Sequence, residues 1–155
     1  MKKIIFRVAL IATALVQNVF AQDSPNTQLI HSYYDIKNAL VAGNANTASI
    51  KAAEFVKTLQ SIDSNTIHDA ARGALLKDAG DILENKDLKH QREHFTSFST
   101  NMYTLAKTVK LTDAPVYYAY CPMKKAHWLS NEPAIRNPYF GSAMLTCGKV
   151  EETLK

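Results

Sequence analysis

Apolar residues recur at intervals of three and four along most of the chain, a spacing that predicts amphipathic α-helices. The clearest pattern spans residues 87–110, and similar patterns cover residues 27–42, 46–62 and 66–84. Short polar turns separate these segments, and short turns favour antiparallel packing of consecutive helices. The pattern therefore predicts an up-and-down four-helix bundle. The side chains expected to be buried in it are Leu40, Phe55, Phe95, Phe98 and Leu105.

The predicted helix ends follow from the polar residues between the patterns. Gly43 suits the left-handed position that ends the first helix. Asn46 or Thr47 is expected to cap the second helix, because both residue types accept a hydrogen bond from the first turn. Asp63-Ser64-Asn65 is expected to end the second helix and to cap the third.

The pattern changes after Pro115. Val116-Tyr117-Tyr118-Ala119-Tyr120 is aromatic and β-branched, which predicts a strand. Residues 126–129 are expected to form its partner, with residues 122–125 as the turn, whereas the pattern does not decide the structure of residues 142–155. The predicted fold class is mainly α: a four-helix bundle over residues 27–110, followed by a small irregular or β-hairpin segment over residues 115–150 that carries the cysteines and two methionines.

The first residues resemble a secretory signal peptide. Lys2 and Lys3 precede a mostly apolar run, and Val19-Phe20-Ala21 matches the small-residue cleavage pattern. We therefore expect a signal peptide over residues 1–21 and a single domain over residues 22–155. A retained N-terminal anchor is the alternative, although the apolar run is short for a membrane span. This predicts export to the periplasm and no stable membrane insertion after cleavage.

The charge of the chain does not indicate a nucleic-acid partner. The formal net charge is +4, and three of its positive charges, Lys2, Lys3 and Arg7, lie in the expected signal peptide. The remaining excess is too small to form the basic surface that nucleic-acid binding requires.

The segment after Pro115 contains a set of soft ligands. Cys121 and Met123 flank a proline, and Met144 and Cys147 stand three positions apart. In a strand, side chains two apart point to the same side, and in a helix, side chains three apart share a face. Thiolates and thioethers select Cu(I), and thiolates also bind Zn(II). The pattern therefore predicts a metal site built from these four residues, with Cu(I) as the metal and Zn(II) as a competitor.

Three other residues are secondary candidates for this site. His94 lies at the edge of the apolar face of the fourth helix, where an imidazole is either a ligand or a partly buried structural group. His127 is closer to the cysteines but points opposite to Trp128 in a strand. Trp128 is a hydrophobic plug or, over a bound ion, a shield that contacts the cation through its ring face.

A disulfide is the main alternative to the metal site. Two cysteines in an exported chain are first expected to pair, and a Cys121–Cys147 bond would turn the domain into a stapled helical module for protein–protein contact. A thiol enzyme is not expected, because the two cysteines do not form a Cys-x-x-Cys pair and no clear base accompanies them.

Several short motifs resemble a family of small exported bacterial domains associated with copper or other heavy metals. They are Cys121-Pro122-Met123, Trp128-Leu129-Ser130, Asn137-Pro138-Tyr139-Phe140-Gly141, and Met144-Leu145 with Cys147-Gly148. The resemblance extends back to Gln91-Arg92-Glu93-His94-Phe95 and to residues 33–40. Similar domains occur attached to adaptor subunits of heavy-metal efflux pumps.

This resemblance implies a helical domain with Cys121, Met123, Met144 and Cys147 at the metal-associated positions. The function expected from it is binding, sequestration or delivery of Cu(I) without enzymatic activity. A heavy-metal efflux adaptor, or another copper-handling protein, is the expected partner.

Overall fold

A computed structural model describes residues 23–155, which form four α-helices followed by a small sheet. The helices are α1 (Pro25–Val41), α2 (Ala45–Ser61), α3 (Asp69–Glu84) and α4 (Leu88–Thr108). The strands are β1 (Val116–Cys121), β2 (Ala126–Ser130) and β3 (Lys149–Leu154), and a 3-10 turn covers Gly141–Met144. The expected signal peptide over residues 1–21 lies outside the described residues. The predicted fold class, a helical bundle with a small C-terminal β segment, is confirmed.

The bundle core contains the residues that the helical spacing placed there. Phe55, Phe95 and Phe98 are fully buried, and the ring of Phe98 meets Phe55 edge-on at a centroid distance of 4.8 Å. Tyr33 of α1 stacks on Phe95 at 5.4 Å, so the aromatic cluster joins α1, α2 and α4. Such aromatic pairs add stability beyond the apolar area that they bury.

Two predicted helix starts were wrong. Asn44 caps α2 by accepting a hydrogen bond from the Thr47 backbone N–H at 3.0 Å, so α2 begins at Ala45. Asp63 does not cap the third helix, because its carbonyl and carboxylate accept bonds from the turn that follows it. Ile67 is buried in that turn rather than in a helix, and α3 begins at Asp69.

The C-terminal sheet has three antiparallel strands in the order β2-β1-β3. The predicted hairpin of β1 and β2 is present, with Ala119 opposite Trp128 and Cys121 opposite Ala126. These four residues are buried, and strand alternation places them on the same face of the sheet. The undecided residues after 142 form the end of the 3-10 turn and then β3, which pairs with the other edge of β1.

The sheet is joined to the bundle by buried side chains. The Tyr33 hydroxyl of α1 accepts a hydrogen bond from the Leu129 N–H of β2 at 3.0 Å and lies 2.7 Å from the Ser99 Oγ of α4. Tyr139 lies between the two layers, with ring centroids 5.9 Å from Phe95 and 6.2 Å from Trp128. The C-terminal segment is therefore packed on the bundle through specific contacts.

Within residues 23–155, no helix combines the length and the apolar character that crossing a membrane requires.

Candidate metal site

The two cysteines meet although 26 positions separate them in the chain. Cys121 ends β1 and is fully buried, whereas Cys147 is half-buried in the turn just before β3. Their Sγ atoms lie 3.8 Å apart, and both thiols are free. The pairing of β3 with β1 explains this approach, because Lys149 lies opposite Tyr120 and the chain reaches Cys147 two residues earlier.

The β1–β2 turn shapes the surroundings of Cys121. The Lys125 N–H donates to the Cys121 carbonyl at 2.8 Å, and Lys125 adopts a left-handed φ of 55°. The Lys124 N–H lies 3.4 Å from the Cys121 Sγ and donates to it. Met123 is at the tip of the turn, where 65% of its surface is exposed. The turn therefore holds a buried sulfur and presents an exposed thioether beside it.

A buried amide holds the loop that carries Cys147. Asn137 is fully buried, and its Nδ2 donates to the Cys147 carbonyl at 2.8 Å. Its Oδ1 accepts from the Tyr139 N–H at 2.8 Å and from the Phe140 N–H at 3.3 Å. Met144 lies within this loop, half-buried, and its carbonyl accepts from the Cys147 N–H at 3.1 Å. Asn137 thus fixes the backbone on which Met144 and Cys147 are placed.

Gly148 allows the loop to approach the sheet closely. Its φ is 149°, and a Cβ atom there would lie 2.8 Å from both the Trp128 Cη2 and the Tyr120 carbonyl oxygen. A larger residue would therefore force either this loop or its two neighbours to shift. Trp128 is buried, and its indole ring lies against the loop at Gly148, the residue next to Cys147.

The electrostatics of Cys147 favour the protonated thiol in the absence of a metal. Desolvation, together with the adjacent Cys121 sulfur, raises the pKa of the Cys147 thiol above its ordinary value. A hydrogen bond from the Met123 backbone N–H acts in the opposite direction but is the weaker influence. A metal that binds here must therefore displace protons, which makes its affinity depend on pH.

The spacing of the sulfurs fits a shared ion. Two metal–sulfur bonds of about 2.3 Å that meet at a tetrahedral angle hold their sulfurs about 3.8 Å apart. This is the distance between the thiols of Cys121 and Cys147. Residues 23–155 contain no cluster of three or more His, Cys, Asp or Glu side chains that could hold a metal ion. Further ligands at the thiol pair would therefore come from the methionines, from solvent or from a partner.

The histidine candidates have other neighbours. His94 Nδ1 lies 3.0 Å from the Asp81 Oδ2 of α3, and the His94 ring lies 4.3 Å from that of His90. His127 Nε2 lies 3.0 Å from the Glu151 Oε2, on the sheet face opposite Trp128, as the strand alternation predicted. The structure therefore brings together the two cysteines, and none of the contacts described for His94 or His127 reaches them.

Sequence reasoning missed two residues that shape the site. The pattern places Lys124 in the turn over residues 122–125 without a role in the site, but its N–H donates to the Cys121 thiol. Asn137 enters the sequence analysis only as the first residue of a motif, with no role of its own, but it is the buried amide that holds the Cys147 loop. A sequence signal for Asn137 was its position as an amide directly before the run Pro138-Tyr139-Phe140.

A comparison with protein families identifies the helical part of the chain. The family described as "Protein of unknown function (DUF3347)" matches residues 29–114. The chain belongs to this family. The DUF3347 match covers most of α1, all of α2, α3 and α4, and the linker to β1, and it ends before the segment that carries Cys121 and Cys147. No curated protein and no solved structure matches the chain.

Proposed function

We propose that this chain is an exported soft-metal-binding protein that holds or delivers Cu(I) and performs no chemistry on a substrate. The observation that carries the proposal is the 3.8 Å separation of the Cys121 and Cys147 sulfurs. It matches the spacing of two thiolates on one ion. Met123 follows Cys121 by two residues in the turn after β1, and Met144 ends the 3-10 turn three residues before Cys147, so each cysteine has a thioether close to it in the chain.

The ligand types favour Cu(I) over other metals. Thiolates and thioethers are soft donors, and soft donors select Cu(I). Zn(II) also binds thiolates and is the expected competitor, but thioethers contribute little to its affinity. If only the two cysteines bind, the preference for Cu(I) should weaken.

The position of Met123 supports delivery rather than permanent storage. Its thioether is exposed at the tip of the β1–β2 turn, whereas Cys121 beside it is fully buried. An ion can therefore contact an exposed ligand on its way to or from the buried thiol. A heavy-metal efflux adaptor or another copper-handling protein in the periplasm is the partner that we propose for this exchange.

The Cys147 thiol is poorly suited to nucleophilic catalysis. The nucleophile is the thiolate, and desolvation with the Cys121 sulfur raises the pKa of the Cys147 thiol. No Cys-x-x-Cys motif is present in the sequence. These features support a binding role.

The competing function is a disulfide-stapled module for protein contact. The two free sulfurs lie 3.8 Å apart, whereas a disulfide holds its sulfurs about 2 Å apart, so bond formation requires them to approach further. A bond across 26 residues would stabilise the fold by roughly 3 kcal/mol in the chain-entropy treatment. This function predicts loss of stability on reduction and no metal uptake by the reduced protein.

An anaerobic titration separates the two functions. The reduced protein without residues 1–21 is titrated with Cu(I), and native mass spectrometry counts the ions bound. We expect one Cu(I) per chain and the loss of two thiol protons on binding. The matched control is the Cys121→Ser/Cys147→Ser variant, which keeps both methionines and should bind no Cu(I) at the same concentrations.

Oxidation of the protein provides the second arm. After mild oxidation, the intact mass should fall by two hydrogens and Cu(I) binding should disappear. Absence of Cu(I) binding by the fully reduced protein would overturn the proposal and leave the stapled module in its place.

A further inference from the structure

Two histidines form a pair on α4 that the thiol site does not use. His90 and His94 are four positions apart, so their side chains lie on the same face of the helix. Their ring centroids are 4.3 Å apart, and both residues are half-buried rather than enclosed in the core. Two imidazoles at this helical spacing are the arrangement in which one face of a helix can bind a single metal ion.

Asp81 of the neighbouring helix orients one of these rings. Its Oδ2 lies 3.0 Å from the His94 Nδ1 and also 3.0 Å from the Lys77 Nζ. An aspartate carboxylate has only acceptor atoms, and the Asp81 Oδ2 meets both the Lys77 ammonium and the His94 ring. The proton of the neutral His94 ring is therefore on Nδ1, from which it donates to Asp81.

This tautomer leaves the Nε2 of His94 as a free electron-pair donor. Metal-binding histidines commonly donate their other ring N–H to a carboxylate, which fixes the ring and increases the basicity of the ligating nitrogen. Asp81 and His94 have this relationship. The pairing of His94 with Asp81 therefore prepares the imidazole for coordination.

We propose that His90 and His94 form a second metal site, for a divalent transition metal, with Asp81 as its positioning residue. Imidazole ligands suit Cu(II), Zn(II) and Ni(II), and Cu(II) binds most tightly of the three in the general order of divalent affinities. The site has two protein ligands and takes its remaining ligands from solvent or from a partner. This is consistent with the lack of any cluster of three or more metal-binding side chains of these types within residues 23–155.

The second site differs from the thiol pair in place and in chemistry. His90 and His94 lie on α4 facing α3, within the residues that match the DUF3347 family, whereas Cys121 and Cys147 lie beyond them. Imidazole nitrogens bind the divalent ions, and the thiols and thioethers favour monovalent copper. One chain would then bind two classes of ion at separate sites.

The test uses the Cys121→Ser/Cys147→Ser variant, because this background removes the thiols and their reaction with Cu(II). The probe is a copper(II)–iminodiacetate complex, which leaves coordination positions open for imidazoles. Electron paramagnetic resonance should show binding of one complex per chain, with hyperfine coupling from imidazole nitrogen. In the same background, His90→Ala/His94→Ala should lower the affinity by about 100-fold, because the two ligands no longer act together.

The matched control is His31→Ala/His68→Ala in the same background. His31 also has a carboxylate neighbour, with its Nδ1 3.7 Å from the Asp23 Oδ2, but no second histidine stands four positions from it. This variant should bind the probe as the background does. Equal affinity in the His90/His94 variant and the background would overturn the proposal, as would loss of binding in the control alone.

The role of Asp81 is tested separately from folding. Asp81→Asn keeps the side-chain volume and should weaken binding of the probe by about 10-fold to 100-fold. Lys77→Met removes the other partner of the carboxylate and should leave the affinity equal or higher, since a nearby positive charge is lost. Unchanged affinity in Asp81→Asn would remove Asp81 from the site. Circular dichroism of each variant checks that α3 and α4 remain folded.

The outcome does not depend on the proposed Cu(I) function. A failed Cu(I) titration of the reduced protein would leave the His90/His94 site intact, and a failed Cu(II) titration of the serine variant would leave the thiol site intact.

Discussion

The helical bundle and the C-terminal segment are held together in different ways. In the bundle, fully buried apolar side chains such as Phe55, Phe95 and Phe98 repeat at helical intervals, and stability is spread over many similar contacts. In the C-terminal segment, single residues set the backbone: Asn137 binds three backbone groups through its amide, and Gly148 permits the close approach of the loop to β1. A single mutation in the C-terminal segment can therefore disrupt the candidate site while the bundle stays folded.

The largest effect on stability is expected in the bundle. Phe98→Ala removes a fully buried ring that contacts Tyr33, Phe55 and Phe95. The cavity should lower the free energy of unfolding by about 3–5 kcal/mol, measured by urea denaturation. The Cu(I) affinity of the folded variant should not change, because none of these rings touches the thiol pair. A large loss of Cu(I) affinity in the folded variant would show that the bundle core and the thiol site are not independent.

Gly148→Ala tests the C-terminal segment in the same way. A methyl group there meets the Tyr120 carbonyl and the Trp128 ring, and the φ of 149° disfavours any side chain. We expect a loss of about 2–4 kcal/mol from strain and overpacking, together with weaker Cu(I) binding as Cys147 is displaced. The matched control is Gly80→Ala in α3, where a Cβ atom meets nothing within 4 Å. That change should stabilise the protein by up to about 1 kcal/mol.

Lys37 joins the two regions, and its contribution to the stability of the protein depends on pH. It is buried on α1 and donates to the Ser130 Oγ of β2 at 3.3 Å. Desolvation lowers its pKa to about 8, partly offset by Glu132. Between pH 8 and the ordinary value of 10.5, the unfolded chain binds more protons than the folded one. The contribution of Lys37 to stability therefore increases with pH over this window.

The measurement compares urea denaturation of the parent and Lys37→Met at pH 8 and pH 10. The parent should gain about 2 kcal/mol relative to the variant over this interval. Taking the difference removes the contributions of the tyrosines and of Cys147, which titrate in both proteins. If the free energy of unfolding changed equally with pH in the two proteins, Lys37 would be solvated in the folded state.

The smallest effect on stability is expected from the methionines of the candidate site. Changing both Met123 and Met144 to leucine roughly conserves volume and should cost less than about 1.5 kcal/mol per site. Cu(I) affinity should fall, whereas any Zn(II) affinity should stay nearly unchanged, because thioethers favour Cu(I). Met102→Leu is the control, since Met102 is fully buried in α4. Equal Cu(I) affinity in the double variant and the parent would reduce the proposed site to the two cysteines.

The bundle was predictable because its stability comes from a repeating pattern. Phe95, Phe98 and Leu105 stand at helical intervals and are buried. Burial of such an apolar face stabilises an amphipathic helix, so the spacing alone predicts both the helix and its core residues. The start of α3 was not predictable, because Ile67 is buried in a turn and not in a helix. The Asp63 carbonyl accepts the hydrogen bonds that form this turn. The pattern also left the structure of the β3 residues undecided. This strand has few apolar residues, and its position depends on pairing with β1.

The candidate site was predictable only in part. The sequence indicated the two cysteines as a pair, and the structure places their sulfurs 3.8 Å apart. It did not indicate Lys124, which acts through a backbone N–H, or Asn137, whose partners are brought together only by the folded loop. The partner of His94 was equally hidden, because Asp81 belongs to another helix.

The Tyr33 hydroxyl has a consequence for hydrogen exchange. It accepts from the Leu129 N–H and contacts the Ser99 Oγ, so α1, α4 and β2 meet at one buried oxygen. Separating the sheet from the bundle would leave these polar groups unpaired. The Leu129 amide hydrogen should therefore exchange with solvent only when the whole molecule opens, whereas amides of the edge strand β3 exchange through local opening.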